Sequence, residues 1–157
     1  MSTWRRKAIE FLPDERALIE SAERPMELWL ELVWVFSNAF SEDDEGKIRK
    51  ILDYAIWCCS EKSGTLPNET STAAIIGFYE SIASHKEYWP KFRNWFFVNE
   101  FERYKEHFGY HLTPEERSKL DVIYYEKMPN KSLHRSLDTR LLLYINYTIL
   151  KGYSVNK

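Results

Sequence analysis

Cysteine is nearly missing from this chain, and glycine and proline are sparse: two, five and six residues in 157. The two cysteines, Cys58 and Cys59, are adjacent, and neighbouring cysteines rarely bond each other because the geometry is strained. That excludes a disulfide framework, and reduced thiols fit a cytoplasmic location. So little glycine and proline leaves too few turns for a many-stranded sheet and favours helices. Long hydrophobic runs are missing too. The most apolar stretch, Met26–Phe40, is interrupted by Glu27, Glu31 and Asn38 and falls short of the roughly 20 residues a membrane-spanning helix needs. The opening residues, MSTWRRKAIEFLPDE, lack the apolar centre of a secretory signal. No membrane association is expected.

A strong charge of one sign is also lacking. The net charge is −2 and the isoelectric point about 6.1, below the basic footprint of nucleic-acid binders. The basic residues Lys127, Lys131, Arg135, Arg140, Lys151 and Lys157, with Tyr144 and Tyr147, therefore read as a solvated face before a nucleic-acid surface. The charge is unevenly spread, however. Ala8–Glu45 holds eleven acidic and two basic residues, a net of −9, and Lys127–Lys157 a net of +5. Such asymmetry can hold two ends of a fold together or offer one end to a basic partner.

Aromatic residues are abundant. Tyr88–Tyr110 contains ten of the chain's 25, and residues that bury so much area build either cores or interfaces. Phe97, Phe101, Tyr104 and Phe108 recur at helical spacing and read as core. Tyr88, Trp89, Phe92, Trp95 and Phe96 crowd around Pro90, mixed with Lys91 and Arg93, in a make-up shared with interface hot spots.

The periodicity predicts an all-α protein of six or seven helices, in an irregular antiparallel bundle or a short α-α superhelix, as one domain over residues 1–157. Short helices are expected over Trp4–Leu12, ending before Pro13, and within Asp14–Glu23. Pro25 opens a helix, apolar on nearly every face apart from the line Glu27, Glu31 and Asn38, which predicts a buried central element. Ser41 is expected to cap the next helix, whose first turn gains from Glu42, Asp43, Asp44 and Glu45. Its stripe is Ile48, Ile51, Leu52, Ala55 and Cys59, and Ser63-Gly64 closes it after about Lys62. Thr65–Thr70 reads as a loop. A helix over about Ser71–Ser84 follows, weakened by Gly77 unless a neighbouring helix needs the space. The aromatic stretch divides at Pro90, and Gly109 closes the helix through Phe108. Thr113, Pro114 and Glu116 form a capping box for a helix to about Glu126. Met128-Pro129-Asn130 breaks the chain before a last helix over Ser132–Leu150, ended by Gly152, with a frayed tail over 152–157.

No pattern assigns a catalytic, cofactor-binding or metal-binding residue, so the protein is expected to be non-enzymatic. His107 and His111 are four apart, but Gly109 between them ends the helix. His85 and His134 have no evident partner. Cys58 and Cys59 sit late in a helix, where buried, inert thiols outweigh a nucleophile. Consecutive acids at a helix start are dipole complements first and a surface for a basic partner second. Glu27 and Glu31, one turn apart, form a narrow exposed stripe or a pair of anchors for Arg or Lys.

The Trp-rich helix ELWLELVWVF, the segment EYWPKFRNWF and FGYHLTPEE opening a later helix together resemble small all-helical bacterial proteins of unassigned function, over about residues 26–120. Some of these accompany secreted toxins as immunity proteins. That resemblance implies a non-enzymatic inhibitor that blocks a toxin domain, often through an acidic surface. The expected contact residues are Glu27, Glu31, Glu42, Asp43, Asp44 and Glu45, with Tyr88, Trp89 and Trp95 as aromatic anchors. The competing expectation is a structural or regulatory helical domain that self-associates into a homo-oligomer through its aromatic surface.

Overall fold

In the computed structural model, which describes residues 1–60 and 67–126, every regular element is helical, as the composition and periodicity require. These residues belong to one unit, Met1–Lys127. Helix α1 spans Thr3–Phe11 and a 3-10 turn Pro13–Glu15, followed by α2 (Arg16–Ser21), α3 (Pro25–Ser41) and α4 (Glu45–Ser60). Then come α5 (Pro67–Ala74), a π-turn over Ile75–Tyr79 and α6 (Glu80–Ile82), which run on as one helix. A 3-10 turn at Lys86–Tyr88 leads to α7 (Trp89–Trp95), α8 (Val98–Phe108) and α9 (Pro114–Glu126). With the π-turn joining α5 to α6, the described residues contain eight helices rather than six or seven.

Helix α3 is the hub, packing on α2, α4, α5 and the π-turn. Pro25 stands in its first turn as expected. Its core side is Leu28, Trp29, Leu32, Phe36 and Ala39, all buried. The helix is not apolar-buried all round, though. Leu30 and Trp34 lie in solvent on the opposite side.

Gly77 explains how α3 meets the π-turn. A Cβ at Gly77 would lie 2.7 Å from Trp29 Cβ, so the missing side chain lets the two backbones approach. Trp29 then stacks on Tyr54 of α4 at 5.2 Å and touches Phe78 at 5.3 Å. From there a chain of ring contacts crosses the unit. Phe36 joins Phe78 to Trp95, Phe92 joins Trp95 to Phe108, and Phe101 joins Phe108 to Tyr124 of α9.

Several boundaries differ from expectation. Ser41 does not cap α4. It is still helical in α3, and its hydroxyl donates to Ser37 O. The junction is a Schellman closure, in which Asp44 N–H donates to Ala39 O and Asp43 N–H to Phe40 O, with Asp43 left-handed at φ 55°. Asp44 is the true cap, its Oδ1 accepting from Lys47 N–H at 2.9 Å. The loop expected over Thr65–Thr70 ends early, because Pro67 already begins α5. The aromatic stretch divides at Phe96-Phe97, where Phe96 turns extended, and Pro90 sits in the first turn of α7. Gly109 follows α8 as expected but in right-handed backbone, φ −76°, and the Arg117 side chain lies where its Cβ would stand. The capping box at Thr113 is present in both directions: Thr113 N–H donates to Glu116 Oε2 at 2.9 Å, and Glu116 N–H to Thr113 Oγ1 at 3.2 Å.

The expected end of α4 at Lys62 with Ser63-Gly64, the last helix Ser132–Leu150, its preceding break, the tail 152–157, the basic residues from Lys127 onward and His134 lie outside the described residues. The expected single domain over 1–157 extends past them as well.

Candidate functional site

The solvent side of α3 is a narrow face with unusual chemistry. At 3.6 residues per turn, positions i, i+3, i+4, i+7 and i+11 share one side of a helix. In α3 those are Glu27, Leu30, Glu31, Trp34 and Asn38, and all five are exposed. Trp34 is 71% exposed and Leu30 57%. Exposing a large indole forgoes the roughly 1.5–3 kcal/mol that burial of a large apolar side chain returns. The helix carries no basic residue. Glu27 Oε2 accepts the Glu23 N–H at 2.8 Å, tying the face to the chain that enters α3.

The acidic corner adjoins the C-terminal end of this face and divides into two kinds of carboxylate. Glu42 and Asp43 are exposed and form no ion pair among the described residues. Asp44 and Glu45 are engaged in the fold. Glu45 pairs with Lys91 at 2.6 Å and accepts from Trp95 Nε1 at 3.4 Å. The bond from Lys91, with Trp95 and Arg49 assisting, holds the Glu45 carboxyl below its usual range against a smaller desolvation cost. Arg49 completes the strap from α4 to α7, donating to Asn94 O at 3.0 Å and to Trp95 O at 3.3 Å.

The aromatic anchors expected at Tyr88, Trp89 and Trp95 are not on the surface. They are 2%, 4% and 2% exposed. Tyr88 meets Phe40 at 4.5 Å, Trp95 meets Phe36 at 5.1 Å, and Trp89 Nε1 donates to Ala83 O at 2.8 Å. Their crowding around Pro90 is resolved by the C-terminal end of α3, which receives Tyr88 and Trp95. The structure thus keeps Glu27 and Glu31 together on one face, sets Glu42 and Asp43 beyond its end, and removes the three aromatics to the core. Leu30 and Trp34 take their place as exposed apolar groups. The signal for them was present: the polar line Glu27, Glu31 and Asn38 marks the solvent side, and Trp34 falls on it.

The remaining reactive groups are quiet. Cys58 is buried and Cys59 half-buried, and burial pushes the Cys59 thiol up to about 11 and Cys58 higher still. His107 stands 3.9 Å from Glu80, while His111 is exposed, so the pair shares no site. Among the described residues no three His, Cys, Asp or Glu side chains converge for a metal, and no helix is long and apolar enough to cross a membrane. A cavity of about 50 Å³ between α8 and α9 is bordered by the 2.8 Å Lys105–Asp121 ion pair and by Arg117, and an open cleft of about 230 Å³ lies between Trp89 and the Ser118–Ile123 side of α9. Small-molecule sites usually occupy 300–1,000 Å³.

The fold and site define an all-α protein with an acidic, tryptophan-bearing helix face. No protein-family profile, curated protein sequence or solved structure matches the chain.

Proposed function

We propose that the protein is a non-enzymatic protein-binding module whose contact face is the solvent side of α3. Trp34 and Leu30 would supply apolar anchors, and Glu27, Glu31 and Glu42 the electrostatic complement to a basic partner. The observation that carries this reading is a 71%-exposed tryptophan set among carboxylates on the hub helix. Tryptophan is enriched in binding hot spots, and paired acids steer a cationic partner and raise its association rate. Rigid backing adds to it, since the reverse side of α3 is fully packed and the face needs little ordering on binding. The most concrete form of this reading is an immunity-type inhibitor that covers the basic surface of a toxin domain. A self-associating domain is the competing form, disfavoured because like faces would oppose their own carboxylates.

The test pairs capture from native lysate with kinetics on the captured partner. Trp34→Ala with Leu30→Ser should speed dissociation by roughly tenfold or more, and Glu27→Gln with Glu31→Gln should slow association at low salt and flatten its salt dependence. These carboxylates suit the test better than Asp44 and Glu45, whose loss also disturbs a helix cap and the α4–α7 strap. A partner that binds wild type and both variants alike would overturn the assignment. So would a dimer in light scattering that Trp34→Ala dissolves, which points to self-association.

A further inference from the structure

Ring faces in this protein are repeatedly covered by its own cations. The Arg5 guanidinium lies 4.6 Å from the Trp4 ring centre, Arg93 lies 5.4 Å from Tyr124, and Lys105 Nζ lies 5.9 Å from Tyr125. Trp34 has no such cover. It is the most exposed tryptophan, and no ring or cation of the described residues is stacked on it. Yet carboxylates stand beside it, with Glu31 three residues before and Glu27 seven before on the same side. An exposed indole with an acid one turn away combines the two attractions a guanidinium makes best, which are stacking on a π face and forked hydrogen bonding to a carboxylate.

We propose that Trp34 and Glu31 form a seat for an arginine side chain of the protein partner, resting on the reading of α3 as the contact face. The guanidinium lies flat on the indole, and its N–H groups donate to the Glu31 carboxylate. Glu27 adds a second negative charge one turn further along, and Leu30 packs against the aliphatic part of the arginine or a neighbouring apolar side chain. Arginine is favoured over lysine because an ammonium is a compact, strongly hydrated charge that cannot both stack and fork. A second copy of this chain, pairing face to face, is disfavoured as the occupant. Its α3 brings carboxylates and no cation to the contact.

The experiment uses two short amphipathic peptides, identical except for Arg or Lys at two positions one helical turn apart, titrated into the full chain. The readout is the indole N–H resonances of the six tryptophans. The Arg peptide should move the Trp34 resonance and bind at least about threefold tighter than the Lys peptide. Trp34→Leu, which keeps apolar area without the π face, should abolish that preference, and Glu31→Gln should reduce it. Equal binding of both peptides with a shift at the Trp34 indole overturns the arginine seat but leaves the contact face standing. Shifts confined to other parts of the protein, or no binding by either peptide, overturn the seat, and shifts elsewhere also count against the face. A preference that survives Trp34→Leu refutes the stacking.

Discussion

Gly77 and Gly109 both stand where a methyl group would collide, yet the two sites can give way very differently. At Gly77 the obstacle is Trp29 Cβ at 2.7 Å, an atom fixed to the backbone of a fully packed helix. Alanine there gains about 1 kcal/mol of helix preference but forces α3 and the π-turn apart, so Gly77→Ala should cost about 1–3 kcal/mol net. At Gly109 the obstacle is Arg117 Nε at 2.8 Å, on an exposed side chain that can swing aside with the loss of its 3.3 Å bond to Leu112 O. Since the φ of −76° suits any L residue, Gly109→Ala should stay within about 1 kcal/mol of wild type. Urea midpoints at constant slope would check both, and an undiminished midpoint for Gly77→Ala would mean the two helices separate freely. The conditional role of Gly77 was legible in the chain itself, because a glycine amid Ile75, Phe78 and Tyr79 needs a neighbour to justify it. Which atom made the contact was not legible, because Trp29 lies 48 positions away.

Helix ends divide along the same line between local and remote causes. The cap at Thr113 needed only four consecutive residues, and Pro114 at its first position left no competing reading. At the start of α4 the sequence pointed to Ser41, but α3 runs through Ser41 before Asp43 turns left-handed, and that leaves the cap to Asp44. The burial of Tyr88 and Trp95 was further out of reach, since it depends on Phe36, Phe40, Glu45 and Arg49 arriving from two other helices, and Trp89 is tied instead to Ala83 O. Glu116 carries a consequence that pH can read. Its bond from Lys86, at 2.5 Å, and those from the Thr113 backbone and hydroxyl hold its carboxyl down to about 2 from an ordinary 4.5. The folded state therefore binds the proton less readily than the unfolded chain. Stability from this group is complete above about 4.5 and is lost as pH falls toward 2. Glu116→Gln should flatten that part of the acid limb in denaturation midpoints measured across the window. An unchanged limb would mean the ion pair does not persist in solution. Being solvent-exposed, the pair should also weaken with added salt.

Across the unit as a whole, the rings form the continuous interior, and the acids of Ala8–Glu45 lie outside it, several of them paired with Lys7, Arg16, Lys47, Lys50 and Lys91 while the solvent side of α3 carries carboxylates and no basic residue. The all-α class was legible because both facts are compositional, as was the choice of Glu27 and Glu31 as surface groups. The exposure of Trp34 was carried by the same polar line, Glu27, Glu31 and Asn38, but an indole amid Val33, Val35 and Phe36 reads as core until α3 is fixed by its buried side. This position makes Trp34 a gauge of local potential. Caesium and iodide both quench indole emission on collision, but a field of carboxylates gathers the cation and repels the anion. Trp29, Trp89 and Trp95 are shielded from either ion by burial, Trp57 is half-buried against Tyr54, and Trp4, with Arg5 upon it, is biased toward iodide. Removing Trp34 by Trp34→Phe should therefore lower the caesium quenching slope more than the iodide slope, with the difference shrinking as inert salt is added. Equal losses would mean that the indole stands outside the acidic field. A bound partner should erase the caesium-selective part, which turns the most exposed indole into a built-in optical reporter of occupancy.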